Sequence, residues 1–402
     1  MQMRRRVLLA IMLACCAVAQ ARPDEKALSA RLQALHRDAG FPGFAVATVN
    51  KDGVTYRHGF GYADLGARRP YRTDTVQNVG SVSKTFVGVA LARAIELGYF
   101  TLDTEINAVL PFRVDNPHAD AGPITIRHLV THTSGIVDDD ETYGHSYYLN
   151  AYSDRRSPLL KRFTQEYTVP GRADTSLDGF LRNYLAAGGR DFKASNFSAA
   201  PSGSTYEYSN IGAALAAHLV ELKSGQRFDA FCQTHIFQPL GMRHTGWSID
   251  AGLAARHARL YNTSKQAYPL YSLITYPDGG LITSADDLAI FLVEMIKGYR
   301  GESALLGKAS FRLLFDKQFA DNAIPADSPK GEPNGGVFWR YEANGQIGHS
   351  GSDPGVTTFM AFDPVQGTGK IFLTNSDFGD ANEGSAPRAM TKFKAIWSAL
   401  DR

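Results

Sequence analysis

The sequence predicts an α+β fold: an antiparallel sheet flanked by helices and completed by both chain ends, with an all-helical region inserted between them. Three observations carry this. Apolar residues alternate near the start of the chain, recur at helical spacing through its middle, and alternate again near its end. Tight turn signals join the alternating stretches, whereas long polar loops join the helical ones.

The elements follow in chain order. Residues 26–36 carry Ala27, Leu28, Leu32 and Leu35 with a polar opposite face, a helix. Residues 44–49 and 54–61 read as strands joined at Asn50-Lys51-Asp52-Gly53, a hairpin signal. Residues 85–97 are apolar nearly all round, the pattern of a buried helix that Gly98 ends. Helices are expected over 126–130, 177–184, 211–223 and 285–296. Strands are expected over 336–342, 346–349, 357–363 and 370–375, with turns at Asn344-Gly345 and Gln366-Gly367. An amphipathic helix over 387–400 closes the chain. The sheet part then spans about 22–97 and 330–402, the helical part about 98–329, and a catalytic site is expected in the crevice between them.

The first 21 residues read as an export leader. Arg4, Arg5 and Arg6 precede an apolar stretch over 7–18, and Ala19-Gln20-Ala21 is a small-residue cleavage pattern. Twelve residues are too few to span a bilayer core of ~30 Å, so no transmembrane segment is expected once the leader is removed. A periplasmic or secreted protein is expected. Anchoring by lipid at Cys15, in the loose lipoprotein box Met12-Leu13-Ala14-Cys15, is the alternative. Cys15 and Cys16 lie in the leader, so Cys232 is left without an internal disulfide partner. Basic and acidic residues number 42 and 40, and no run of like charges stands out beyond Asp138-Asp139-Asp140 with the adjoining Glu141. Neither a nucleic-acid groove nor an anionic-membrane face is indicated. Oligomeric state stays open.

Chemistry enters with Ser81-Val82-Ser83-Lys84. A serine hydroxyl needs a base within reach, and residues three apart share a helix face, so Ser81 and Lys84 project together. Gly80 lets the chain turn sharply before them, and the helix start supplies free N–H groups. A desolvated lysine there can act as a base near neutral pH. An ordinary helix start can show the same spacing. Tyr208-Ser209-Asn210 adds a phenol able to relay a proton beside an ammonium and an amide able to bind a substrate amide. A buried tyrosine with a helix-capping asparagine is the alternative there. Gly348-His349-Ser350-Gly351-Ser352 lies on an expected strand. Gly351 leaves room for a substrate backbone, and the N–H groups of Ser352 and Ser81 can form an oxyanion hole.

Taken in order, Ser81 to Lys84, Tyr208 to Asn210 and His349 to Gly351 resemble the three motifs of the serine β-lactamase and penicillin-binding-protein superfamily, class C branch. Residues 124–135, Pro239-Leu240-Gly241-Met242 and Gly279-Gly280-Leu281 with 284–288 resemble the same family. The resemblance covers roughly Lys26 to the C-terminus. It implies the β-lactamase/transpeptidase-like fold, acylation of Ser81, and proton sharing between Lys84 and Tyr208. It further implies substrate binding by Asn210, His349, Gly351 and Ser352, a small-molecule or peptide-like substrate, and no cofactor or metal.

His349 departs from the family's usual lysine. Histidine is largely neutral at pH 7, which weakens recognition of a β-lactam or D-Ala carboxylate. A general ester or amide hydrolase is therefore expected first, with a D-Ala-D-Ala carboxypeptidase or class C-like β-lactamase as alternatives. An inactive relative that binds cell-wall peptides or proteins is the alternative of another class. Residues 136–201, with Tyr143, Tyr147, Tyr148 and Tyr152, read either as a lid or wall of the pocket or as a surface insertion.

Two other chemistries fail on the residues. As a nucleophile elbow, Gly348-His349-Ser350-Gly351 has Ser352 where glycine is needed, and no histidine follows Ser350. As a zinc helix, His128 and His132 enclose Leu129 where H-E-x-x-H needs glutamate.

Overall fold

The computed structural model describes residues 23–118, 121–167, 176–379 and 385–401. The expected leader, 1–21, and Cys15 lie outside them. The described residues form an eight-stranded antiparallel sheet in the order Arg69–Pro70, Gly53–Asp64, Gly43–Asn50, Thr368–Thr374, Val356–Asp363, Ile347–Asp353, Arg340–Tyr341 and Asn334–Gly335. Both chain ends thus build one sheet, as the alternation at the two ends predicts.

The central strand Gly43–Asn50 is apolar almost throughout because both faces are covered. Phe44 and Val46 pack with Phe372, Phe393 and Ile396 beneath the terminal helices Pro23–Ala39 and Ser385–Ala399. Ala45, Ala47 and Val49 face the other way, into a larger core shared with Ser83–Glu96 and Ala285–Tyr299. The first hairpin closes as its turn residues require. Asn50 Oδ1 accepts from the N–H groups of Asp52 at 2.8 Å and Gly53 at 3.1 Å.

Between the sheet segments the chain is helical apart from two short ribbons. Val76–Asn78 pairs with Ile282–Ser284, and Tyr147–Leu149 pairs with Tyr271–Leu273. The helix Asn210–Ser224 runs through the middle of this region, buried from Ile211 to Val220. No helix among the described residues is long and apolar enough to cross a membrane.

One expected strand is broken. Residues 336–342 were to run as a single strand, but Asn334–Gly335 folds back on Arg340–Tyr341 instead. Val337, Phe338 and Trp339 plunge into the core, and Phe338 adopts a left-handed φ of 56°. The N–H groups of Val337 and Phe338 bond to Leu314 O and Val130 O, so helix ends rather than a neighbouring strand satisfy this backbone.

Gly351 joins the sheet to the helical region. A Cβ there would lie 2.0 Å from Val79 O and 2.9 Å from Ser81 N. Both obstacles are backbone, so neither can swing aside. Gly351→Ala is expected to lower stability by about 1–3 kcal/mol, read as a shifted urea midpoint; an unchanged midpoint would contradict this packing.

Candidate functional site

Ser81 sits in a 3-10 turn, Gly80–Val82, that feeds directly into the helix Ser83–Glu96. The sequence placed it at the start of the α-helix; the tighter turn precedes that start. Three residues per turn still stack residues 81 and 84 on one side. Lys84 Nζ donates to Ser81 Oγ at 3.1 Å, and Lys84 is wholly buried. Gly80 is needed at the entry, with φ of 53° and a position where a Cβ would meet Ser352 N at 2.8 Å.

Lys84 has two further acceptors: Asn210 Oδ1 at 2.6 Å and the carbonyl of Asp278 at 2.8 Å. Three acceptors match the three N–H bonds of an ammonium. The Asp278 carbonyl lies just before Gly279-Gly280-Leu281, one of the segments that carried the resemblance.

Asn210 is not a helix cap. Ser209 caps Asn210–Ser224, its Oγ accepting from Gly212 N at 2.9 Å. Asp138 then accepts from Ser209 Oγ at 2.7 Å and from the N–H groups of Asn210 at 2.6 Å and Ile211 at 3.1 Å. A carboxylate at a helix N-terminus meets unpaired N–H groups and a favourable dipole. Burial pushes its pKa up, opposed by these donors and by Lys84. In the sequence Asp138 is only the first of four consecutive acidic residues, and nothing local ties it to a helix 72 positions later.

Tyr208 is half-buried, with Lys84 Nζ 5.0 Å from its ring centroid. His132 stacks on its other surroundings, ring centroids 4.4 Å apart, and His132 Nδ1 accepts from Ser209 N at 3.2 Å. Burial and the Lys84 charge hold His132 well below the usual histidine range, so it packs as a neutral ring. His128 does separate work: its Nδ1 accepts from Thr125 N in a reciprocal helix cap. The four-residue spacing of these histidines therefore has two structural causes. No group of three or more His, Cys, Asp or Glu able to hold a metal ion occurs among the described residues.

On the strand Ile347–Asp353, His349, Gly351 and Asp353 are buried while Ser350 and Ser352 are exposed, the alternation of a pleated strand. His349 Nδ1 lies 2.6 Å from Ser350 O, so Nδ1 carries the hydrogen and Nε2, buried, has no partner. Burial first, then the Lys84 charge, pushes its pKa down to about 3. The departure from lysine thus removes the charge outright.

Ser81, Tyr208, Asn210, His349 and Ser352 line one cavity of about 490 Å³, with Gly351 and Lys84 beneath its floor. All seven expected site residues come together here. Further residues complete the walls. Arg340 is held by the Tyr206 hydroxyl and by Glu332 Oε2 at 3.0 Å. Opposite, Tyr143 donates to Asp278 Oδ1 at 2.8 Å and Tyr147 to Asp353 Oδ1 at 2.6 Å. Of Tyr143, Tyr147, Tyr148 and Tyr152, the first two form wall; Tyr148 packs against the core and Tyr152 is exposed.

The Beta-lactamase family matches residues 28–393. Over 356 residues the chain is 25% identical to Penicillin-binding protein 4 of Amycolatopsis lactamdurans, covering 86% of this chain and 84% of that protein. Esterase EstB of Burkholderia gladioli is 34% identical over 230 residues, 56% of this chain and 53% of the esterase. Among solved structures, the octameric penicillin-binding protein homologue from Pyrococcus abyssi aligns with a TM-score of 0.70 over 93% of this chain and 78% of that one. Its identity of 20% speaks for the fold alone. The match runs from the N-terminal helix to the C-terminal one, and the chain belongs to the Beta-lactamase family.

Proposed function

We propose that the protein is an exported serine hydrolase that cleaves an ester or amide bond through an acyl-enzyme on Ser81. The observation that carries this reading is the buried Lys84 Nζ, 3.1 Å from Ser81 Oγ, with Tyr208 beside it. Export rests on the leader pattern over 1–21.

The chemistry balances as follows. With Lys84 as the neutral amine, Ser81 Oγ bonds to the substrate carbonyl carbon while its proton passes to the Lys84–Tyr208 pair. The carbonyl π electrons move to oxygen, where the N–H groups of Ser81 and Ser352 stabilise the charge. Collapse expels the leaving group, which takes a proton from Tyr208. Water then attacks the acyl-serine, gives its proton to the same pair, and releases acid and free Ser81. Asn210 Oδ1 is taken by Lys84, so its Nδ2 hydrogens are what it offers the substrate's acyl amide.

Two observations favour a general ester or amide substrate over a carboxylate-bearing one. His349 is neutral, and Arg340, the cation on the wall, already faces Glu332 and Tyr206. The penicillin-binding-protein reading keeps support from the overall likeness to Penicillin-binding protein 4.

Intact mass spectrometry after exposure to a fluorophosphonate is expected to show one adduct on the wild type and none on Ser81→Ala; equal labelling of both removes Ser81 as nucleophile. Ester turnover in Ser81→Ala should fall by at least roughly 10⁴-fold. Penicillin should label the wild type poorly, and His349→Lys should raise that labelling by restoring a cation. No rise in the lysine variant would mean that His349 does not set carboxylate recognition.

A further inference from the structure

Asp353 ends the strand that carries His349 and Gly351, and its side chain lines the Ser81 cavity while only 8% of the residue is exposed. Its Oδ1 accepts from Tyr147 at 2.6 Å; its Oδ2 is buried and makes no hydrogen bond of normal geometry among the described residues, with the Tyr271 hydroxyl as its nearby polar neighbour. Tyr271, whose hydroxyl donates to Pro354 O, backs the same carboxyl. Behind the wall lies a second carboxyl of the same kind. Asp278 is wholly buried, Oδ1 accepts from Tyr143, and Oδ2 makes no hydrogen bond of normal geometry among the described residues, with the Thr275 hydroxyl beside the carboxyl. The Tyr143 and Tyr147 rings meet edge to face at 6.0 Å.

A buried acceptor without a donor is destabilising, and two such carboxyls on one wall repel when both ionise. Burial pushes each of them up to about 7, with the Asp278 charge adding to the effect on Asp353. Neither forms an ion pair with an Arg or Lys among the described residues, although Arg340 lines the same cavity, paired with Glu332. What this wall lacks is a cation with N–H donors. The tyrosine rings offer such a group their negative faces as well.

Position along the strand gives the side. His349 lies 6.5 Å from Tyr208 between ring centroids, and Asp353 is four residues farther on, roughly 13 Å along an extended strand. Tyr208 is the proton donor to the leaving group in the mechanism above, so the Asp353 end receives the acyl part.

We propose that Asp353, held by Tyr147, forms a cation-accepting subsite for an ammonium group carried on the acyl side of the substrate. The protein would then act on amino-acyl esters or amides. This rests on the Ser81 reading and adds to it a substrate class.

The test compares phenyl esters in pairs matched for size: glycyl with propionyl, β-alanyl with butyryl, and γ-aminobutyryl with valeryl. Phenol release gives kcat/KM for each, and the ratio within a pair does not depend on how much protein is folded. At one or more chain lengths the wild type should favour the ammonium ester at least about tenfold. That ratio should fall to about one in Asp353→Asn and partway in Tyr147→Phe. Equal or slower turnover of the ammonium ester at every length overturns the subsite, as does a preference that survives in Asp353→Asn. Ser81→Ala separates the two readings. If it abolishes turnover while the wild type shows no preference, the hydrolase stands and the subsite falls. If it retains turnover, or the wild type cleaves no ester, the Ser81 reading falls and the subsite with it.

Discussion

The Lys84 ammonium is wholly buried, and the site is arranged around keeping it satisfied. An unpaired cation in such a place would be destabilising by several kcal/mol, so its acceptors must be held in fixed directions. They come from three parts of the chain: the turn at Ser81, the helix start at Asn210, and the loop at Asp278, the last two 126 and 194 residues away. Folding therefore cannot bury this lysine without also bringing together Ser81, the Asn210 amide and the glycine loop. The geometry of the candidate site follows from charge satisfaction.

The same charge spreads through the surrounding groups. Asp138 collects the N–H groups at the start of Asn210–Ser224 and adds negative potential beside the cation. His132 and His349 are both held below the usual histidine range, first by burial and then by the nearby Lys84 charge. Histidine in the third motif therefore acts as a neutral ring, with consequences for which substrates bind. Packing then sets the distances. Gly80 and Gly351 let the strand and the turn approach until Ser81 N and Ser352 N face one cavity, and any side chain at either position would force them apart.

Much of this was legible beforehand. Strand and helix positions followed from period and turn chemistry, because burial of Phe44 and Val46 on one face and Ala45 and Ala47 on the other leaves a direct trace in the sequence. The residues of the three motifs were legible because they resemble a family, their spacing alone being ordinary. Asp138, Asp353 and Arg340 were not, since Asp138 and Asp353 take their partners from distant segments, and Arg340 takes Tyr206 besides the nearer Glu332. The break at Gly336–Trp339 was hidden for a similar reason: Val337 to Trp339 alternate poorly with anything, and only Leu314 O and Val130 O explain where their backbone goes.

Ser81 and Lys84 three apart, Gly80 before them and an apolar helix after them were determined by the sequence itself, because a single turn of backbone brings those groups together. Tertiary structure alone decided that Lys84 would find no carboxylate as direct partner among the described residues, and that Asp353 would meet Tyr147 at the cavity wall with its second oxygen buried. Those outcomes depend on which distant surfaces meet. Contacts across more than a hundred residues leave no period or spacing by which a chain can announce them.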